Sequence, residues 1–466
     1  MRTLAELLPP PGPELCVYRA AVSYTRGDIR ARAEAICAAL HDVCLEPGSP
    51  VGVLLSDGAD TIAAVFAVWL AGGVVVPLNH RSTDGELSRA AEQVDLAAVV
   101  TSGVHERLVD GRPAVILDGE VISTRAGTAG TARHGPEVAL VSFTSGTTGA
   151  PKPVPILHER VMEGLDQVLS TLRSKPATGK APMPNLIPVS LSLWAGIYQV
   201  LFAFTVGAPV VVMDGFETLE FAGLVRQFGI RSTVLPPAAM VMLADDQRIE
   251  DLAPLKYVRA ISSPLSPLQA RRFRDRFGIT VLNGYGQTEL GGEVVGWSAA
   301  DASNYGDGKL GAVGRPHAGV EVRTDGETNE LLVRIPGRFD EWQRTGDVAR
   351  VDDDGFVWIE GRVSDMINRG GLKVHPAEVE EVLRLVAAVA DAAVVGVPDD
   401  RLGEVPVAFI VERTAVADPD LVEACRSHLA PYKVPVRFER VGALPRNDLG
   451  KVMKRELLAG PQTPAS

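Results

Sequence analysis

The sequence predicts an α/β protein with a large amino-terminal body of two α/β layers, a small β-rich subdomain and a small α+β carboxy-terminal domain. Three observations predict it. Apolar strand-like segments alternate with helical ones over the first half of the chain. Short strands with turn signals begin near Lys309, and the last hundred or so residues carry their own helices and strands. At 466 residues the chain exceeds what one core usually serves, which agrees with more than one unit.

The first alternation runs through strand Val51 to Leu55, helix Asp60 to Ala71, strand Val74 to Pro77, helix Asp84 to Gln93 and strand Ala97 to Thr101. Parallel strands joined by crossover helices are the simplest way to connect such a rhythm. A second layer follows, with helix His158 to Leu172, a helix around Trp194 to Phe204, strand Pro209 to Met213, helix Leu219 to Phe228 and strand Ser232 to Leu235. Short strands Val320 to Arg323, Glu330 to Val333 and Phe356 to Glu360, broken by Asp325-Gly326 and Asp354-Gly355, mark the β-rich part at about 309–361. Helix Pro376 to Arg384, strands Asp391 to Val397 and Val405 to Val411, and helix Asp418 to Leu429 complete a domain over 362–466. The expected division is therefore 1–361 and 362–466.

Composition excludes several classes. With 46% apolar and 22% charged residues the chain is neither disordered nor fibrous. A net charge of -12 opposes general binding to nucleic acid or acidic membranes, so any phosphate must be captured locally. Cys16, Cys37, Cys44 and Cys425 show no zinc-like spacing, which suits a packing role in a reducing compartment. Met1 to Pro10 is too short and too soon interrupted for a signal peptide, and Gly72, Gly73 and Pro77 split the most apolar run, Ile62 to Leu78. A cytoplasmic protein is expected, with Pro461 to Ser466 a frayed end.

The chemistry-bearing segments begin at Val138 to Phe143, an apolar strand that feeds Thr144-Ser145-Gly146-Thr147-Thr148-Gly149-Ala150-Pro151-Lys152. Backbone N–H groups freed by the two glycines, together with four hydroxyls, can wrap a polyphosphate, and Lys152 can neutralise part of its charge. Lysine is scarce, nine against thirty-seven arginines, which draws notice to Lys152 and Lys451 in Gly-containing loops. A Walker A loop needs four residues between its glycines and a Lys directly after the second. Here two residues separate Gly146 from Gly149 and Pro151 precedes the lysine, so a P-loop NTPase is excluded.

The nine residues resemble the phosphate loop of the adenylate-forming superfamily of acyl-CoA synthetases, luciferases and nonribosomal peptide adenylation domains, and four further segments match it in order. Asn283-Gly284-Tyr285-Gly286-Gln287-Thr288-Glu289 is similar to its adenine and metal segment. The resemblance implies Tyr285 along the base with Gly286 beside it, Thr288 at the α-phosphate and Glu289 on Mg2+, roles these groups suit chemically. Thr345-Gly346-Asp347 and Arg362 resemble the ribose pair, since a carboxylate accepts from two vicinal hydroxyls. Gly370-Gly371 resembles the glycine pair that lines the CoA passage of a mobile carboxy-terminal domain. His375, beside Pro376, reads as a helix start and not as a catalytic group. Pro445-Arg446-Asn447-Asp448-Leu449-Gly450-Lys451 resembles the loop that delivers the adenylation lysine. The resemblance thus implies ATP, Mg2+ and CoA, with Lys451, Thr288 and Glu289 as the catalytic set.

Departures from the family pattern are local. Pro153 stands where Gly is usual after the loop lysine. Ser364 occupies the domain-hinge position, two after Arg362, where Asp or Lys is usual. Ser190 and Ser192 replace the His or aromatic residue expected beside the acid, and Ile261-Ser262-Ser263-Pro264-Leu265-Ser266 replaces Gly-Gly-Ala-Pro-Leu. With Trp194, Ala238, Ala239 and Gly284 these make up the expected acid pocket. Neither Leu186 to Val200 nor Leu235 to Leu243 holds a charge, so the expected acid is bulky and apolar: aryl, polycyclic or terpenoid, or of medium chain length. Transfer to CoA is the expected second step. Handing the adenylate to a carrier protein or a separate enzyme, oxidising it as luciferases do, or binding without catalysis are the alternatives.

Overall fold

The computed structural model describes residues 2–19, 22–43, 45–108, 111–144, 152–173, 182–261, 265–287, 290, 292–446 and 452–458. By internal contacts the chain forms two compact units. One comprises Met1–Leu235, Asp246–Val258 and Gly286–Gly292; the other comprises Pro236–Asp245, Arg259–Tyr285 and Glu293–Ser466.

In the first unit the expected alternation folds as a seven-stranded sheet. Its order is Val121–Arg125, Ala114–Asp118, Ala98–Ser102, Pro50–Leu54, Val74–Pro77, Val138–Thr144, Lys152–Leu157. The five inner strands are parallel and only the two edge strands run antiparallel to their neighbours. Helix Ala59–Leu70 is apolar all round and buries Ile62 through Trp69, as a crossover between two layers must. Gly72, at φ +74°, ends it in the left-handed turn that returns the chain to strand Val74–Pro77. The expected helix-then-strand split of this run is what forms, and among the described residues no helix is long and apolar enough to cross a membrane.

Edge placement also explains Pro153. It and Pro155 lie opposite Phe143 and Val141, two residues apart, so both missing N–H groups fall on the same, open side of the edge strand. The first 45 residues, unassigned above, hold strands Leu15–Arg19 and Val22–Thr25 and helix Arg26–Asp42, capped by Thr25 and Asp28. Leu15–Arg19 pairs in parallel with Val210–Val212 in a four-stranded sheet.

His158, at the start of helix His158–Arg173, is 5% exposed and accepts the Leu4 N–H at Nδ1 (3.0 Å), which pins the amino-terminal turn. Burial pushes its pKa down from 6.5 to about 4. Cys16 and Cys425 are buried and their thiols are pushed up to about 12 and about 11, as packing residues should be; Cys44 lies outside the described residues.

The second unit contains two antiparallel systems. Strands Glu321–Thr324, Glu330–Ile335, Phe339–Val351 and Val357–Arg362 form a sheet whose turns include Asp325-Gly326 and Asp354-Gly355. Strands Ile367–Arg369, Leu372–Val374, Val389–Asp399, Gly403–Glu412 and Arg437–Arg440 form a five-stranded sheet with helices Pro376–Leu385 and Asp418–His428. Ile367, Val379, Leu383, Val394, Ile410, Leu421 and Cys425 make its core. The mixed α/β class is therefore the one the alternation predicted.

Candidate functional site

In the first unit the strand Val138–Thr144 turns back into Lys152–Leu157, and Thr144 pairs with Lys152 across the ladder. The hairpin geometry brings the two ends of the nine-residue segment together. Ser145, Gly146, Thr147, Thr148 and Gly149 lie outside the described residues, as do Thr288, Glu289, Ser262, Ser263 and Lys451.

The second unit joins three of the expected nucleotide residues. Asp347 and Arg362 face each other in register on neighbouring strands, and Arg362 Nε donates to Asp347 Oδ1 at 2.7 Å. The Tyr285 hydroxyl donates to the other carboxylate oxygen, Oδ2, at 2.6 Å. Asp347 is 5% exposed, and its own N–H donates to Thr345 Oγ1, which in turn donates to the Leu331 carbonyl. Burial, then the adjoining Asp347 anion, raises the Tyr285 pKa well above the phenol range, so the hydroxyl stays a donor. A carboxylate has the acceptor geometry for two vicinal hydroxyls. Those donors fit a ribose. Gly286 follows Tyr285 in the exposed part of the same strand.

The expected acid-pocket residues divide between the units. Ser190, Ser192 and Trp194 belong to the first; Ala238, Ala239 and Gly284 belong to the second. Ala239 is buried in helix Pro237–Asp245 and Ala238 is half-buried there, while Trp194 packs its ring edge on Tyr198 at 5.7 Å. The serines are held by a residue the sequence did not single out. Asp57, 1% exposed, accepts from Ser190 Oγ (3.0 Å) and from the Leu191 N–H (2.7 Å), and Ser190 and Ser192 share a hydroxyl contact of 2.8 Å. Its Oδ2 is buried without a hydrogen-bond partner among the described residues. Asp57 precedes helix Ala59–Leu70, and the segment it holds precedes helix Trp194–Thr205; a carboxylate is favoured beside helix starts. Burial nevertheless wins and pushes its pKa up from 3.8 to about 6.

Asp57 and His158 have opposite consequences for stability. Below pH 6.5 the unfolded chain protonates His158 before the folded chain does, so stability falls, by on the order of 3 kcal/mol at pH 4. Between pH 6 and 3.8 the folded chain protonates Asp57 first, so stability rises by a similar amount, on the order of 3 kcal/mol. Wild type should thus be nearly level across mild acid. Asp57→Asn, which keeps an acceptor for the Leu191 N–H, should be more stable than wild type at pH 7.5 and should lose about 1 to 1.5 kcal/mol more than wild type on going to pH 5. Urea unfolding at the two pH values measures this; parallel curves would contradict it.

In the 362–466 region Ser364 is exposed in the turn Val363–Asp365 and donates to Asp365 Oδ1 (3.0 Å). Gly370 and Gly371 form the tip between strands Ile367–Arg369 and Leu372–Val374, both at positive φ (+59° and +89°). His375 caps helix Pro376–Leu385, its N–H donating to Glu378 Oε1. Arg446 and Val452, on either side of residues 447–451, form an antiparallel bridge; Lys451 itself lies outside the described residues.

A family model described as AMP-binding enzyme matches residues 10–338, and a second, described as AMP-binding enzyme C-terminal domain, matches residues 378–451. The chain is 32% identical to the "3-[(3aS,4S,7aS)-7a-methyl-1,5-dioxo-octahydro-1H-inden-4-yl]propanoyl:CoA ligase" of Mycobacterium tuberculosis, with 93% of each chain covered. It is 29% identical to the "Fatty acid--[acyl-carrier-protein] ligase ScoC" of Streptomyces coeruleorubidus, covering 91% of this chain and 88% of that one. Among solved structures, the amide bond synthetase McbA from Marinactinospora thermotolerans aligns with a TM-score of 0.82 and 27% identity, over 98% of this chain and 99% of that one.

Proposed function

The chain belongs to the AMP-binding enzyme family, a family of adenylate-forming enzymes that use ATP with Mg2+ and, in the acyl-CoA ligases among them, CoA, and from that premise we propose that it activates a bulky, largely apolar carboxylic acid and transfers it to CoA. The Tyr285–Asp347–Arg362 cluster is the observation that carries the reading, because it offers a ribose its acceptors and a nearby cation in one place.

In this proposal Thr144 to Lys152 grip the phosphates, Tyr285 lies along the adenine, and Asp347 with Arg362 takes the ribose. Mg2+, when bound, neutralises phosphate charge, and Glu289 is the residue that would hold it. A carboxylate oxygen of the acid attacks the α-phosphorus, the bond to the β-phosphate oxygen breaks, and pyrophosphate leaves. Thr288 and Lys451 donate to the oxygens on which charge builds. Residues 362–466 then turn at Ser364, whose exposed, hydroxyl-capped turn suits a hinge. The CoA thiolate attacks the acyl carbon past Gly370 and Gly371 and releases AMP. The reactants are small cytoplasmic molecules.

A carrier-protein thiol in place of CoA is the second reading, favoured by the ligase of Streptomyces coeruleorubidus. Pyrophosphate release from Mg-ATP over aryl, polycyclic and medium-chain acids, with and without CoA, tests both. Release that yields acyl-CoA when CoA is supplied is expected. Acyl-AMP that is retained despite CoA would shift the second step to a carrier or a separate enzyme.

A further inference from the structure

Beside Gly284 the second unit carries a polar trio that the proposed chemistry does not use. Arg259 lies on strand Tyr257–Ala260, which precedes residues 261–266, and Glu293 lies on strand Gly292–Gly296. Arg259 donates to Glu293 Oε1 at 2.7 Å and to the Trp297 carbonyl at 3.2 Å, and His317 Nε2 lies 3.0 Å from the same Oε1. Glu293 Oε2 has no donor among the described residues. Two glycines clear the space: a Cβ on Gly284 would lie 2.5 Å from Oε2, and one on Gly296 would strike Oε1 and sit 2.9 Å from the His317 ring. The carboxylate therefore rests directly on the backbone of Gly284, next to Tyr285. All three side chains remain about one-third exposed, at 33%, 29% and 37%.

We propose that Arg259, Glu293 and His317 form a polar subsite of the acid pocket, in which Glu293 Oε2 accepts a hydrogen bond from a hydroxyl or amine carried by the substrate acid. The proposal rests on the acid-activating reading and narrows its substrate class to acids that are apolar in bulk but bear a donor away from the reacting carboxylate. Arg259 and His317 both lie against Oε1, and Oε2 is the carboxylate oxygen that faces Gly284. An apolar acid would offer Oε2 no donor, and a site built to bond a donor discriminates against analogues that lack one.

Matched acids test it: benzoate against meta-hydroxybenzoate, meta-aminobenzoate and the acceptor-only meta-acetylbenzoate, with the corresponding naphthoates, read as pyrophosphate release. Donor-bearing acids should be favoured at least about tenfold in kcat/KM. Glu293→Leu should erase that ratio with the KM for ATP unchanged, and Glu293→Gln, which keeps a neutral acceptor of the same shape, should retain part of it. Thermal melts check that both variants fold. An unaltered ratio in Glu293→Leu, an undiminished ratio in Glu293→Gln, or a preference for the acceptor-only acid would overturn the proposal. Release without discrimination also overturns it while sparing acid activation, whereas no release with any acid removes both.

Discussion

Lys451→Ala is expected to lower acyl-adenylate formation about 100- to 1000-fold in kcat, the loss typical when one preorganised group at a developing charge is removed. ATP affinity should hold, because the nucleoside contacts assigned to Tyr285, Asp347 and Arg362 do not involve this loop. The described residues on either side of 447–451 are tied together. Arg446 and Val452 form a bridge, Met453 N–H donates to the Pro445 carbonyl at 2.8 Å, and Arg446 is ion-paired to Asp391. Lys454 is already engaged with Glu380 at 2.7 Å, so Lys454→Ala should cost far less. The measurement is pyrophosphate release at saturating ATP, with nucleotide binding followed separately. Full activity in Lys451→Ala would remove the assignment.

Asp347→Ala should raise the KM for ATP about 10- to 100-fold, with a smaller change in kcat at saturation. The carboxylate is nearly buried and is the shared acceptor of Tyr285 and Arg362, so its removal strands a half-buried phenol and releases the guanidinium. Arg362 is a third exposed, and solvent offsets part of its loss, which keeps the expected effect below that of breaking a fully buried pair. Asp347→Asn should be milder, since one carbonyl oxygen survives but its amide opposes one of the two donors. Steady-state titration of ATP at fixed acid reads the difference, and melting curves separate it from unfolding. Equal KM values in wild type and Asp347→Ala would place the ribose elsewhere.

Much of the fold was legible because its signals are local. Strands Val74–Pro77 and Ser232–Leu235 and helix Asp84–Gln93 have the bounds that apolar patterning predicted, and the other elements named differ at their ends by a few residues. The 26–42 helix was missed because its polar, arginine-rich sequence shows little apolar periodicity; its clearest signal is the Thr25 and Asp28 capping box. Strand Leu15–Arg19 pairs locally with Val22–Thr25, but its pairing with Val210–Val212, almost two hundred residues away, could not be read from the sequence.

The candidate site divides in the same manner. Linear motifs determined the family, and with it the proposed roles of Thr144 to Lys152, Tyr285, Asp347, Arg362 and Lys451, because such motifs keep their chemistry in consecutive residues. Only tertiary structure decided what surrounds the residues proposed for the acid pocket. The segment Leu186 to Val200 carries no charge of its own, yet the fold sets Asp57 against it from 133 positions earlier in the chain. Gly284 likewise receives Glu293 and its partners Arg259 and His317 from three separate segments. Hydrogen bonding and burial act through space, so a pocket's polarity is settled by which distant residues the sheets bring together, and the same composition in another topology would line it differently.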